Sequence, residues 1–374
     1  MNKTILYVAN VDWFFHSHRS ALAKEAVTRG YKVYVITKDT GYRSRIENMG
    51  VTFIDINFER AGKNPLKDFG LIIKLLLLYK RFKPDIIHHI AHKPNLYGAI
   101  AYRYSGLGHR TRVVNAVSGL GAVFTGENQS LTQRLLFLLM RLAYGSKKVN
   151  IIFQNPDDQK LFADKGFLSM SNYTLIKGAG VDIKQYPFTP KKMDEKIVVM
   201  LPARMLVDKG IREFITAAEF LRTKLFGKVC FRLVGGADAL SLTSLSEQEL
   251  KSYEVPDYIE WVGHKENMRP ELEMADIVCL PSYREGLPKA LIEAMAIGRP
   301  IITTDVPGCR ECVDDSINGL LVPAKNPEAL ADAILTLVND EILCLRMGLK
   351  SREKMLAEMT LDKVIQQTFD FYQH

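Results

Sequence analysis

Long apolar runs are missing from this chain of 374 residues: no uncharged stretch approaches the ~18 residues that a membrane-spanning helix needs. The short run inside Met1-Asn-Lys-Thr-Ile-Leu-Tyr-Val-Ala-Asn10 fits a first β-strand and is too short for a signal peptide's apolar region with its flanks. Cysteine is scarce. Five, an odd number scattered through a long chain, build no disulfide framework and point to a reducing compartment. There is no internal repeat and no low-complexity tract, which excludes solenoid and compositionally disordered classes. There is no Gly-rich run ending in Lys-Ser/Thr, so no P-loop, and no RNP-like aromatic set or other nucleic-acid motif. The expected setting is the cytosol, on or off a membrane surface.

What is present is the composition of a globular protein, 47% apolar and 25% charged, long enough for two domains. The net charge of +8 is unevenly spread: residues 1–185 hold 27 Lys and Arg against 13 Asp and Glu, and the remainder 23 against 29. A basic N-terminal half suits an anionic partner, be it nucleic acid, anionic lipid or a phosphorylated acceptor.

Short apolar runs alternate with helical stretches along the first half. Strands are expected at 5–9, 32–37, 51–56, 85–90, 112–117, 149–153 and 173–176, with helices at 20–29, 41–48, 66–82 and 131–144 among them. This rhythm predicts a parallel sheet covered by helices. Tyr186-Pro-Phe-Thr-Pro-Lys-Lys-Met-Asp-Glu-Lys196 breaks it with two prolines and clustered charges, and reads as a linker. A second series follows, including strand 197–201, helix 210–224, strand 229–234, strand 277–280 and helix 288–297. The expected division is therefore an N-terminal domain over 1–185, a linker over 186–196, a second domain over 197–355 and a C-terminal helix over 356–374 that packs back on the first domain. Two doubly wound domains would meet at a cleft facing the carboxyl ends of their strands, where α/β folds bind ligands.

The densest chemistry lies in Tyr283-Arg-Glu-Gly-Leu-Pro-Lys-Ala-Leu-Ile-Glu293. Lys289 to Ile297 reads as a helix ended by Gly298 and Pro300. Glu285 precedes it and Glu293 lies about two turns inside it. Eight steps of roughly 100° return Glu293 to within about 80° of the same face. Between the carboxylates sits a helix N-terminus, a ready anion site. That order suits a sugar, a diphosphate and a ribose. Upstream, Arg204 and Lys209 sit on the loop after the first strand of the second domain, where two cations can neutralise a diphosphate. Gly235, after strand 229–234, lets the backbone approach a ligand, and Val262-Gly263 could present backbone to a nucleobase. Read alone, each of these glycines is better taken as a plain turn, and an isolated Arg/Lys pair is ordinarily solvated surface.

Arg204 with Lys209-Gly210, Pro281-Ser-Tyr-Arg-Glu285-Gly-Leu-Pro-Lys-Ala-Leu-Ile-Glu293-Ala-Met-Ala-Ile-Gly-Arg-Pro-Ile-Ile, Gly308, Asn318-Gly319 and Val322-Pro323 resemble the glycosyltransferase family 4 pattern across the second domain. The resemblance implies a GT-B architecture: two Rossmann-like doubly wound domains facing across a cleft that closes and excludes water. It implies retaining transfer from a nucleotide sugar with no cofactor and no bound metal. It assigns Arg204 and Lys209 to the diphosphate, Glu285 to the donor sugar, Glu293 to the ribose hydroxyls, and backbone N–H groups of Gly286 and Leu287 to the donor. Gly119 and Gly121, in Ser118-Gly-Leu-Gly121, would close on the diphosphate through backbone N–H groups.

The first domain resembles a bacterial branch of the family more loosely. Where many members have a Gly-Gly loop, this chain has Asn10-Val-Asp-Trp-Phe-Phe-His-Ser-His-Arg19, and where others carry a His it has residues around Val117. That branch implies a polyprenyl-diphosphate-linked saccharide acceptor and an N-acetylhexosamine donor, UDP-linked. His18, Arg19, His92, Lys93 and Asn95 are the candidate acceptor contacts, with helix capping the competing account of His18 and Arg19. His88, His89 and His92 crowd together, but Pro84 and Pro94 bracket a strand, which argues against a metal site. Cys309-Arg-Glu-Cys312 has redox spacing outside any thioredoxin-like context and reads as incidental. Helices 66–82 and 131–148 are basic and amphipathic, fit for an anionic membrane surface or for a core. Two other readings stay open: a UDP-sugar 2-epimerase on the same fold, and a non-enzymatic anion- or nucleic-acid-binding protein.

Overall fold

The computed structural model describes residues 3–58, 65–119, 131–168, 172–191, 196–238, 241 and 243–373. The chain divides into two compact units, Met1–Ala179 with Val364–His374, and Gly180–Lys363.

Unit 1 is built on seven parallel strands: β1 (Thr4–Val11), β2 (Lys32–Lys38), β3 (Thr52–Asp55), β4 (Ile86–Ile90), β5 (Arg112–Val117), β6 (Val149–Phe153) and β7 (Asn172–Leu175). Their order is β3-β2-β1-β4-β5-β6-β7. The strands are continuously apolar because helices cover both faces. The helices are α1 (Asp12–Thr28), α2 (Arg43–Glu47), α3 (Pro65–Phe82), α4 (His92–Tyr104), α5 (Leu131–Tyr144) and α6 (Pro156–Asp164). On one face Tyr7 and Ile5 pack with Phe15 and Leu22 of α1 and with Phe369 and Tyr372 of the C-terminal helix. On the other, Leu6 and Ile87 pack with Leu75, Tyr79 and Tyr102 of α3 and α4.

The helix expected from Ser20 starts eight residues earlier, at Asp12. Asp12 explains the start. Its buried carboxylate accepts from the N–H groups of Trp13 (2.7 Å), Thr40 (2.6 Å) and Tyr42 (2.9 Å), and from the Thr40 hydroxyl. A side chain so placed satisfies a helix-start donor and pins the neighbouring loop.

Unit 2 carries six parallel strands: β8 (Ile197–Pro202), β9 (Val229–Val234), β10 (Ile259–Trp261), β11 (Ile277–Leu280), β12 (Ile301–Thr304) and β13 (Gly319–Val322), in the order β10-β9-β8-β11-β12-β13. Its helices are α7 (Ile211–Leu225), α8 (Glu247–Ser252), α9 (Arg269–Met274), α10 (Lys289–Ile297), α11 (Pro327–Val338) and α12 (Glu341–Glu358). α10 is apolar nearly all round and buried from Leu291 to Ile297, so it sits at the centre of the unit's core. The last helix, α13 (Leu361–Gln373), is counted with unit 1 from Val364 on.

The stretch read as a linker is strapped to unit 2. Thr189 N–H donates to Ile297 O (3.0 Å), and the Arg352 guanidinium donates to Tyr186 O (3.1 Å). The buried Arg299 guanidinium donates to Thr189 O (2.7 Å), Leu272 O (3.0 Å) and Glu273 O (3.0 Å). Residues 192–195 lie outside the described residues.

Candidate active site

In unit 2 the strand order reverses between β8 and β11, and the loops leaving those two strands carry the chemistry. Ligands of open α/β sheets bind outside the carboxyl ends of strands at such a switch point. The loop after β8 holds Arg204 and ends in the short 3₁₀ turn Val207–Lys209, and the loop after β11 runs from Pro281 to Pro288. Packing fixes the loops against each other. Tyr283 N–H donates to Asp208 O (2.9 Å) and Ser282 Oγ to Asp208 O (3.0 Å).

This places Lys209 Nζ 2.5 Å from Glu285 Oε1, although the two are 76 residues apart in sequence. Ser282 Oγ lies 2.8 Å from the same oxygen, so its one hydroxyl hydrogen is shared between Glu285 Oε1 and Asp208 O. Both charged side chains are about six-sevenths shielded, at 15% and 14% exposure, so their field is poorly screened by solvent. Glu285 N–H donates to Pro307 O (3.1 Å), and behind it a Cβ on Gly308 would lie 2.5 Å from both Glu285 O and Gly286 O. The turn at Gly308 thus holds the Glu285–Gly286 backbone in place. Cys309, buried under the same loop, has its thiol pushed up to about 12, chiefly by burial and next by the charge of Glu285. All five cysteines are free and buried, Cys309 and Cys312 among them.

α10 starts after Pro288 with no side-chain cap; Leu291 N–H donates to Pro288 O (3.1 Å), and the N–H groups of Lys289 and Ala290 have no intrahelical acceptor. Glu293, in the second turn, is nearly enclosed and accepts from Lys289 Nζ at 2.8 Å. Burial first, then the charge and hydrogen bond of Glu293, raise the Tyr186 phenol well above its usual range. The two carboxylates of the motif therefore have separate partners. Arg204 is set apart too: its Nη1 lies 2.7 Å from Asp238 Oδ2, on the loop after β9.

Gly235 and Gly263 are joined by Gly235 N–H to Gly263 O (2.9 Å), and Val262 N–H is taken by Leu233 O (3.0 Å). A Cβ on Gly235 would fall 1.7 Å from Ala203 O, so its role is tight packing of the β9 exit on the β8 exit. The Leu287 side chain is buried in the core of unit 2. Lys289, Ser282, Tyr186 and Asp238 also shape the site and were given no role in it from sequence, and Gly308 was named only as part of the family pattern. Lys289 was within reach, because it stands four residues before Glu293 on the expected helix.

The acceptor candidates of unit 1 divide. Arg19 is no surface cation: it is buried, with Nη1 donating to Gly178 O (3.4 Å), and burial lowers its pKa. It faces inward because residues from Asp12 on form a helix whose inner face takes it. Asn95 is buried as well, its amide donating to Ala116 O (2.8 Å). Neither side chain is available to an acceptor. His18 stays half-buried at the surface, stacked on Phe14 at 4.2 Å. His92 opens α4 directly after Ala91, whose φ of +76° is rare for a residue with a Cβ. Lys93 Nζ approaches Asp68 at 3.5 Å. Gly119 is described and Gly121 lies outside the described residues.

The neighbouring histidines are structural. His89 Nδ1 pairs with Asn115 Oδ1 (2.7 Å) and Nε2 with the Tyr79 hydroxyl (2.8 Å), a pattern that suits a neutral ring. Burial lowers its pKa to about 4, against a smaller opposing effect of the Asn115 bond. His88 Nδ1 meets the Tyr372 hydroxyl at 2.5 Å, which ties the C-terminal helix to β4.

Residues 196–340 match the family described as Glycosyl transferases group 1, and residues 4–155 match Glycosyl transferase 4-like. The chain belongs to glycosyltransferase family 4. It is a glycosyltransferase with the GT-B fold. Among its relatives is the N,N'-diacetylbacillosaminyl-diphospho-undecaprenol alpha-1,3-N-acetylgalactosaminyltransferase of Campylobacter jejuni, 29% identical over 355 residues and 90% of each chain. Another is the UDP-Gal:alpha-D-GlcNAc-diphosphoundecaprenol alpha-1,3-galactosyltransferase of Escherichia coli, 23% identical over 318 residues, 82% of this chain and 80% of that one. Among solved structures, Anabaena HepE in complex with UDP and glucose superposes with a TM-score of 0.78 at 19% identity, covering 99% of both chains.

Proposed function

We propose that this glycosyltransferase moves an N-acetylhexosamine from a UDP-sugar to a polyprenyl-diphosphate-linked saccharide, with retention of anomeric configuration and without a bound metal. The observation that carries the reading is the Lys209–Glu285 pair at the switch point of unit 2, beside the open N-terminus of α10. A departing diphosphate needs positive charge where negative charge develops, and a preorganised Lys in a shielded loop supplies it. Arg204 is the second cation. Glu285 receives the sugar hydroxyls, and Glu293 the ribose hydroxyls. In a front-face transfer the glycosidic bond to the diphosphate breaks while the acceptor oxygen bonds the same carbon. The acceptor proton passes to the leaving diphosphate oxygen. The acceptor class rests on the names of the Campylobacter and Escherichia relatives, the N-acetylhexosamine on that of the Campylobacter relative alone, the Escherichia one transferring galactose, and UDP on the Escherichia relative and on HepE. Those relatives favour transfer over the epimerase and nucleic-acid readings.

A second observation favours work at the anionic inner face of the cytoplasmic membrane. α3 packs on α4 and α4 on α5, and the three helices contain a single acidic residue, Asp68. Their exposed surface combines Phe69, Ile73, Leu77, Leu138 and Leu142 with Lys74, Lys80, Arg81 and Arg141. No helix among the described residues is long and apolar enough to cross a membrane. Basic apolar surfaces of this kind lie in anionic interfaces.

The test is a matrix of UDP- and GDP-sugars with a short-chain polyprenyl-diphosphate saccharide, read as labelled lipid product. Lys209→Ala should lower turnover by roughly 10²–10³-fold with the fold intact. Near-normal transfer by that variant, or interconversion of free donor without lipid product, would sink the reading. Binding to anionic but not neutral vesicles checks the membrane surface.

A further inference from the structure

The cation Arg204 meets a carboxylate that the family pattern did not assign. Arg204 Nη1 and Asp238 Oδ2 stand 2.7 Å apart, with Arg204 43% exposed and Asp238 14% exposed. Asp238 does not reach Arg204 from a loose loop. Met205 N–H donates to Gly236 O (3.0 Å), Val207 N–H to Thr243 O (2.8 Å) and Leu245 N–H to Met205 O (2.9 Å). Thr243 Oγ1 donates to Asp208 Oδ1 (3.0 Å), and Asp238 N–H to Ser244 Oγ (2.9 Å). The described residues of the β9 exit are thus laced to the Arg204–Lys209 loop, and Asp238 is held beside the guanidinium.

The arrangement repeats at the other cation. Lys209 faces Glu285 as Arg204 faces Asp238. The two pairs differ in what a ligand does to them. Glu285 has sugar hydroxyls to receive, so it keeps a use when Lys209 turns to phosphate. Asp238 has a fixed negative charge next to a site for a second negative charge, and a diphosphate on Arg204 must displace it or sit beside it. Two anions sharing one guanidinium repel each other by an amount that falls only slowly with distance in a partly shielded loop.

We propose that Asp238 is the in-chain counter-ion of Arg204: it occupies the guanidinium when the diphosphate site is empty and reclaims it as the nucleoside diphosphate leaves. Asp238 is then a positioning residue that holds Arg204 on its loop while weakening retention of product. It touches no reacting atom. The inference rests on the proposed nucleotide-sugar donor site, which supplies the diphosphate.

Isothermal titration with UDP, in parallel with donor kinetics, tests it on Asp238→Asn, which keeps shape and hydrogen-bonding capacity while removing the charge. UDP should bind the variant about fivefold or more tightly. KM for the donor should fall, and kcat should fall with it where product release limits turnover. In an Arg204→Ala background the gain from Asp238→Asn should shrink, because the competition for the guanidinium is gone and only direct repulsion between the two anions remains; a gain of equal size in both backgrounds would overturn the proposal. In the background with Arg204 intact, weaker or unchanged UDP binding by Asp238→Asn would overturn the proposal. Absence of UDP and GDP binding in the unmodified protein would instead overturn the donor reading on which it rests, so the two failures are distinguishable.

Discussion

Gly308→Ala separates geometry from stability at the donor loop. Gly308 has φ of +80°, and a Cβ there would lie 2.5 Å from Glu285 O and from Gly286 O, against the 3.4 Å or more of ordinary contact. Both obstacles are backbone, so neither can swing away. Relief requires moving the Glu285–Gly286 segment by about 0.9 Å, or opening the Gly308 turn by as much. A 1 Å displacement of a catalytic group costs about 10²-fold in rate. The left-handed backbone adds about 1–2 kcal/mol of strain, a fall in melting temperature of the order of 5 °C for a unit of this size. The control is Gly227→Ala. Its φ of +78° carries the same strain, but no atom lies within 4 Å of the added carbon. Both variants should melt lower than the unmodified protein. Only Gly308→Ala should lose turnover, by roughly 10²-fold, when donor-dependent UDP release is measured well below both melting temperatures. Turnover within threefold of the unmodified protein would refute the argument. So would equal losses in the two variants, because strain alone would then explain them.

Other outcomes follow from the buried polar groups. His89 is held neutral with its pKa at about 4, below the ordinary value of 6.5, because burial opposes its charge. A lowered folded value means that the unfolded chain takes the proton first, so stability is complete above pH 6.5 and is lost as pH falls toward 4. Between pH 7 and pH 5 this group should remove about 2 kcal/mol from unit 1. Urea titrations at the two pH values should show a smaller drop for His89→Gln, and an identical drop would contradict the assignment. Arg299, whose pKa burial pushes down to about 10, closes three carbonyl oxygens from Thr189, Leu272 and Glu273. Arg299→Ala should destabilise unit 2 by about 3 kcal/mol or more, seen as a lower denaturant midpoint. A midpoint within error of the unmodified protein would show that water replaces the guanidinium there.

Much of the fold was readable because its signals are local. Alternating apolar runs and helical stretches set the βα order, and Gly298 with Pro300 marked the end of α10 at Ile297, where the structure ends it. The start of α1 was not readable, because its anchor is long-range. Asp12 holds Thr40 and Tyr42 across the neighbouring strand connection, and nothing in Asp12–Arg19 by itself announces that partner. The same reason turned Arg19 and Asn95 inward: by sequence Arg19 reads as a contact because it follows the first strand and Asn95 because of the resemblance to the bacterial branch, and helix phase buries both side chains.

The sequence by itself determined the alternating α/β class, the position of two cations and one carboxylate on loops after strands and of a second carboxylate inside the following helix, and the family to which they belong. The class and the positions are properties of spacing, and the family follows from the resemblance of the motifs; both are written in the chain. Only the tertiary structure decided which charge meets which. It set Lys209 on Glu285 and Arg204 on Asp238, and it drew Tyr186 from an expected linker to the second carboxylate, whereas Lys289 on Glu293 follows from helix spacing alone. Ion pairing depends on distances of a few ångströms between loops far apart in sequence, and those distances are set by how the sheet orders its strands and how each loop packs on the next.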